Sequence, residues 1–442
     1  MTSVVDLLAQ SPARPDDVLL VSPERAWRRD DVERAVDERA RKLRAMHGAG
    51  AIVPLTVDAD YTGVIELLAL WRIGATPAPL SPALTAPERA TAVRTLSAAR
   101  PDAQAILWTS GTAGRPRGVA LSYPALQANA RASQERLGLT ARDGWLASLS
   151  PAHVGGLVLI TRALLIGCRV LLAGRFDVAR AWQTMSGGAL PPTHVSLVPT
   201  QLLRILDEAG DGPPPETLRC VLVGGAATPR DLLTRALAAG WPVALTYGLT
   251  EATSQVATSP PHATRAKPGS VGRPLRGVEV RIAPDGEILV RGDTLASAYV
   301  GEGVEALVDA EGWHHTGDIG RMDEDGDLWI VGRRVDRIVS GGVTVDAVEV
   351  EEALRSHPDV ADACVVGVPD PTWGDLVAAW IEPVGGQLDL DALDEHLRAR
   401  LAAAKLPRRY HVAPGLPRNA NGKVERLRVR EALGRAGTPG AS

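Results

Sequence analysis

The chain has 442 residues, which at about 100–200 residues per domain argues for two or three domains. Hydrophobic residues make up 45% and charged residues 23%, which excludes a disordered or collagen-like chain. The formal charge of −4 argues against a nucleic-acid coat, and three dispersed cysteines (Cys168, Cys220, Cys364) argue against a disulfide framework or a cysteine-rich zinc site.

The first 30 residues lack a basic start followed by a long apolar stretch, so no export signal is expected. GVIELLALWRIGA (63–75) has apolar residues at helical spacing and ends at glycine. TPAPLSP, next, reads as a loop or irregular edge. AQAILWT (103–109) and GVALS (118–122) read as strands flanking SGTAGRPR, and Ser122 caps a helix opening at Pro124. GGLVLITRALLIGC is the most apolar run. It is shorter than the roughly 18 residues of a membrane span and carries Arg162, so no membrane partner and a cytoplasmic protein are expected.

From 150 to 260 strands (CRVLLA, HVSLVP, LRCVLVG, PVALTYG) alternate with helices (TQLLRILDEAG, PRDLLTRALAAG), which predicts βα units and a largely parallel sheet. Residues 268–332 change to short strands with DG turns, as in a small antiparallel barrel or sheet. Beyond that, a helix start, two strands (ADACVVGVPD, LVAAWIEP) and a helix (LDALDEHLRARLA) form a compact α+β unit, and GTPGAS reads as a disordered tail. The fold class is α/β. A large N-terminal domain (1–334) of βα-layered sheets carries a small barrel-like β subdomain, and a small mobile α+β C-terminal domain (335–442) follows.

Four motifs carry chemistry. WTSGTAGRPRG (108–118) sets hydroxyls, glycines and arginines between two strands. Glycines let several N–H groups point at one anion, and the arginines add charge, so this is a polyphosphate cradle or else a flexible surface turn. In TYGLTEATSQVAT (246–258), Tyr247 suits a base, and Thr250 with Glu251 suits a phosphate and Mg²⁺. The alternative is a strand-to-helix turn with both as capping groups. In WHHTGDIGRMDEDGDLWIVGRR (313–334), Asp318 after a Thr-Gly turn suits the two hydroxyls of a ribose. His314 and His315, adjacent on a strand, point to opposite faces and do not make a zinc site. PRNANGKVERLRV (417–429) is a loop followed by Lys423. The chain has four lysines against 44 arginines, so a lysine here is informative: a compact ammonium suits a phosphoryl transition state, unless it is a plain surface lysine.

Together and in this order, the motifs resemble the adenylate-forming superfamily of acyl-CoA synthetases, firefly-type luciferases and peptide-synthetase adenylation domains, over roughly 100–430. The resemblance implies ATP, Mg²⁺ and coenzyme A, and two steps: a carboxylate attacks the α-phosphate of ATP, then a thiol displaces AMP from the acyl-adenylate. It assigns Thr109, Ser110, Gly111, Thr112, Gly114 and Arg117 to the phosphates. Gly225, Ala226 and Ala227 go to the adenine with Tyr247 against the base, Gly248 to the cofactor site, Thr250 to the α-phosphate and Glu251 to Mg²⁺. Asp318 and Arg333 take the ribose, and Lys423 serves the first step. Rotation about a hinge near Val335 then brings Gly341 and Gly342 to the thiol tunnel, with Trp373 beside the coenzyme. Arg117 stands where the family usually has lysine.

Around the acid, VSLVPTQL and ATSQVAT resemble the group of this family that activates o-succinylbenzoate, an aromatic keto-diacid, for menaquinone biosynthesis. That implies Thr200, Gln201, Arg204, Ser254, Gln255 and Thr258 around the acid and His153 as its gate. Arg204 would meet the second carboxylate, or else face solvent. Ligation of another aryl or short acid, loading of a carrier protein, and a catalytically silent nucleotide-binding scaffold are the alternatives. Small-molecule partners are expected, nucleic acid is not, and homo-oligomerisation is left open.

Overall fold

Between residues 144 and 259 the short apolar segments and the helices between them fold as their spacing predicts. The computed structural model describes residues 4–82, 84, 86–97, 103–109, 117–210, 212–301, 306–333, 337–340, 343–386, 388–418 and 424–435. The tail GTPGAS lies outside them. Two compact units form, Met1–Ala283 with Ile288–Thr316 and Met322–Ile330, and Pro284–Glu287 with Gly317–Arg321 and Val331–Ser442.

The first unit is built on an eight-stranded sheet. Its order is Ser254–Ser259, Val243–Leu249, Cys220–Val223, His194–Leu197, Gly144–Ala147, Arg169–Leu172, Val18–Val21, Ala26–Arg28. The inner pairs are parallel and the two outermost pairs antiparallel. The central strands are buried on both faces, so they read as unbroken apolar runs. Period two divides them between two cores. Trp145, Ala147, Val170 and Leu172 pack with the helix Val154–Ile166, while Leu146, Leu171, Val195 and Val221 pack with Leu202, Ile205, Leu232 and Leu233. The most apolar run is therefore a core helix. Its Arg162 is 3% exposed, donates to Asn129 Oδ1 at 2.8 Å and sits over the Trp145 ring. Among the described residues no helix is long and apolar enough to cross a membrane.

TPAPLSP departs from expectation. Thr76–Pro79 is a fully buried strand parallel to Ile52–Leu55. The N–H groups of Thr76 and Leu80 donate to Ala51 and Leu55 at 2.8 Å. The prolines fall at the alternate positions, 77 and 79, whose N–H direction lies away from the partner strand, so the ladder loses no donor.

A three-stranded antiparallel sheet joins Ala298–Val300, Arg117–Leu121 and Ala105–Thr109, and Ser122 caps the helix Tyr123–Leu137 as predicted. The short strands after residue 268 form a four-stranded sheet, Val278–Ile282, Glu287–Gly292, His314–Met322, Leu328–Arg333. Near it, Lys267 Nζ is ringed by the carboxylates of Asp323 (3.1 Å), Asp327 (2.9 Å) and Asp325.

In the second unit Val343–Asp346, Arg337–Ser340, Gly374–Pro383 and Val360–Asp370 form a sheet that Arg409–Val412 extends. Its two faces pack against Ala347–Arg355 with Leu390–Arg398 and against Arg426–Arg435. Glu351, 5% exposed, accepts from Arg426 at 2.6 and 2.8 Å and from the Val365 N–H at 2.8 Å.

Candidate active site

Three neighbouring parallel strands, His194–Leu197, Cys220–Val223 and Val243–Leu249, end on one edge of the large sheet. The segments that leave them carry most of the described residues singled out in the sequence. In open α/β sheets that carboxyl edge is where ligands bind. Thr200 and Gln201 begin the helix Pro199–Glu208. Gly225, Ala226 and Ala227 form an exposed loop after Val223. Gly225 needs its positive φ of 80°, and at Gly224 a Cβ would stand 2.6 Å from Thr246 Cγ2.

Tyr247 is 8% exposed and ends the regular ladder with Ser254–Ser259, because a bulge falls between Tyr247 and Gly248. Thr250–Ala252 is one turn of 3₁₀ helix, and Thr253 and Ser254 take positive φ of 52° and 91°. Such angles cost energy in non-glycine residues and concentrate at functional turns. ATSQVAT then returns as an antiparallel strand, where the alternative reading had a helix.

Glu251 is half-buried. Tyr299 donates to its Oε1 at 3.2 Å, and Ala296 N–H donates to its carbonyl at 2.8 Å. The Arg117 guanidinium lies 5.6 Å from the Tyr299 ring centre, and Arg117 pairs with Thr109 across the hairpin. Burial first, then the charge of Glu251, raises the Tyr299 pKa well above its usual range, so the phenol stays a donor. The two described ends of the phosphate motif and Glu251 are thus brought together. Ser110, Gly111, Thr112 and Gly114 lie outside the described residues. Nothing in the sequence marked Tyr299, in a strand of three residues too short to show periodicity.

The residues expected around the acid divide. His153 is the N-cap of Val154–Ile166, and burial lowers its pKa, keeping the imidazole neutral near pH 7. Gln201 Oε1 accepts from Val198 N–H at 3.1 Å. Arg204 is exposed. Ser254 is half-buried at the turn. Gln255 and Thr258 are buried and bonded to each other at 2.7 Å, to Ser133 at 2.6 Å and to Thr246 at 2.9 Å.

In the second unit Asp318 and Arg333 meet: Nε stands 2.8 Å from Oδ1. The Thr-Gly step before Asp318 is a kink inside the strand His314–Met322, with Gly317 at φ 69° and its N–H donating to Glu287 Oε1 at 2.9 Å. His314 is buried and His315 exposed, as opposite faces require. The Arg408 guanidinium lies 3.9 Å from the Trp373 ring centre, a pairing the sequence did not indicate. Gly341, Gly342, Lys423 and Val335, where the hinge was expected, lie outside the described residues.

Residues 95–300 match the AMP-binding enzyme family, and residues 349–423 match the AMP-binding enzyme C-terminal domain. A 2-succinylbenzoate–CoA ligase of Bacillus cereus (strain AH820) is 37% identical over 345 residues, covering 75% of this chain and 70% of that protein. One of Geobacillus sp. (strain WCH70) is 36% identical over 343 residues, covering 75% and 69%. The o-succinylbenzoate CoA synthetase of Bacillus subtilis in complex with its acyl-adenylate intermediate superposes with a TM-score of 0.89 at 28% identity, over 97% of this chain and 99% of that one. The same enzyme with ATP and magnesium gives 0.88 at 28% identity, over 97% and 98%.

Proposed function

This chain belongs to the adenylate-forming superfamily of AMP-binding enzymes, and on that premise we propose that it is a 2-succinylbenzoate–CoA ligase. The proposed reaction converts 2-succinylbenzoate, ATP and coenzyme A to 2-succinylbenzoyl-CoA, AMP and diphosphate. The observation that carries it is the identity shared with 2-succinylbenzoate–CoA ligases along three quarters of the chain. The residues at the carboxyl edge of the large sheet fit that chemistry.

In the first step the acid's carboxylate attacks the α-phosphorus of ATP, the P–O bond to the β-phosphate breaks, and pyrophosphate leaves. Two anions approach each other, so the site needs cations and donors where charge accumulates. Arg117 and Thr250 meet the phosphates, and Lys423 bridges carboxylate and α-phosphate. Glu251, a half-buried carboxylate, offers the hard oxygen that Mg²⁺ prefers, and the ion when bound would neutralise phosphate charge. Tyr247 lies against the adenine, and Asp318, turned by Arg333, takes the ribose hydroxyls. In the second step the thiol of coenzyme A adds to the acyl carbon and AMP departs. Trp373 borders the coenzyme, and Lys423 has no part in this step.

A second reading is a ligase for another aryl or short acid. It is favoured by Gln255 and Thr258, which spend their polar atoms on Ser133, Thr246 and each other rather than on a second carboxylate.

Pyrophosphate release and thioester formation on a panel of acids, with and without coenzyme A, test the proposal. The expected result is turnover greatest on 2-succinylbenzoate and thioester only with the coenzyme. A better monoacid replaces the substrate assignment, and no pyrophosphate on any acid overturns the ligase itself. Lys423→Ala is expected to abolish adenylate formation and largely spare thioester formation from supplied acyl-adenylate.

A further inference from the structure

The segment Ala296–Val300 is tied on both sides. Its Ala296 N–H holds the Glu251 carbonyl, its Ser297 N–H and Oγ hold the Ala120 carbonyl at 2.9 and 3.0 Å, and Tyr299 stands opposite Val119 in the ladder with Arg117–Leu121. Tyr299 therefore has little freedom in its backbone. Its phenol reaches the Glu251 carboxylate, and its ring carries the Arg117 guanidinium. One rigid aromatic side chain thus reaches both an anion, on the turn Thr250–Ala252, and a cation, on the strand Arg117–Leu121, far apart in sequence. Among the described residues Oε1 of Glu251 accepts from the phenol, and no protein donor reaches Oε2. Among the described residues the carboxylate is thus held by one oxygen, and a small hard cation such as Mg²⁺ accepts a single-oxygen contact of the kind the other can make.

We infer that Tyr299 is a positioning residue: it fixes the Glu251 carboxylate, relative to Arg117, in the orientation that a magnesium–nucleotide complex uses. The inference rests on the proposed role of Glu251 in Mg²⁺ binding. A hydrogen bond to an ionised group is among the stronger ones, and losing it releases the carboxylate to rotate. A phenylalanine at 299 keeps the ring under Arg117 and removes the phenol, with its hydrogen bonds to Glu251 and to Arg117.

Calorimetric binding of a non-hydrolysable ATP analogue, with Mg²⁺ and with chelator in its place, tests this without relying on turnover. Tyr299→Phe is expected to weaken binding about ten-fold in Mg²⁺ and to leave the metal-free affinity within about two-fold. Should that variant melt early, Glu251→Asp, which draws the carboxylate back from an intact Tyr299, is expected to show the same metal-selective loss. Equal losses with and without Mg²⁺, or none, overturn the positioning role. Glu251→Gln separates the two ideas. If it leaves the metal dependence intact, the reading of Glu251 itself fails. If it abolishes the dependence while Tyr299→Phe does nothing, only the inference about Tyr299 fails.

Discussion

Arg333 Nε lies 2.8 Å from Oδ1 of Asp318, whose side chain is only 7% exposed. A carboxylate that deep needs a charged or hydrogen-bonding partner, and a partner bound to one oxygen leaves the other to meet whatever approaches. Arg333→Ala is expected to raise KM for ATP about ten-fold, through a free carboxylate and a lost charged hydrogen bond, while KM for the acid changes less than about two-fold. Steady-state kinetics with each substrate varied in turn check this split.

Arg204 is exposed one helical turn beyond Thr200, on the helix that leaves the carboxyl edge of the large sheet. If it meets the second carboxylate of a diacid, Arg204→Ala raises KM for 2-succinylbenzoate ten-fold or more, on the order of a lost charge-assisted contact, and leaves benzoate-like monoacids within about two-fold. Equal effects on both acids place the guanidinium in solvent.

Gly248 packs so closely on the returning strand that a Cβ there would lie 2.6 Å from the Ser254 carbonyl carbon. Gly248→Ala forces the bulge to open and costs about 1–3 kcal/mol, as overpacking does. Urea denaturation measures the loss. Nucleotide affinity is expected to fall with it, because Tyr247 and Glu251 sit on either side of the bulge.

His194 is 1% exposed and beside Trp145, and burial pushes its pKa down to about 4 despite Asp143 at 3.9 Å. Above the ordinary histidine value near pH 6.5, neither state binds the proton. Between that value and about 4, the unfolded chain takes a proton that the folded chain refuses, so stability falls as pH falls through the window. Burial opposes the charge of Asp143 as well, but hydrogen bonds from Thr140 and Thr193 hold its pKa low, so that contribution is lost only at more acid pH. His194→Gln is expected to flatten melting temperature against pH between 6.5 and 4 relative to the native chain. An unchanged slope assigns the acid sensitivity elsewhere.

Much of this was legible in the sequence because the relevant signals are local. Burial on both faces wrote Val170–Leu172 and Val221–Val223 as plain apolar runs, and Ser122 announced the helix after the phosphate motif. Thr76–Pro79 was hidden because prolines ordinarily deny a strand. Only the register with Ile52–Leu55, a relation between residues twenty-four apart, reveals that both fall on the harmless side. Tyr299, Arg408 and the inward turn of Gln255 were hidden for the same reason. Each acts through a partner distant in sequence or through a strand too short to carry a pattern.

The cage of carboxylates around Lys267 bears on chemistry performed on the protein by others. An ammonium hydrogen-bonded to Asp325, Asp327 and Asp323 holds its proton to higher pH than an ordinary lysine. Only the unprotonated amine is nucleophilic. In a chain with so few primary amines, acylating and alkylating reagents at mild pH will pass this one over and mark the others first.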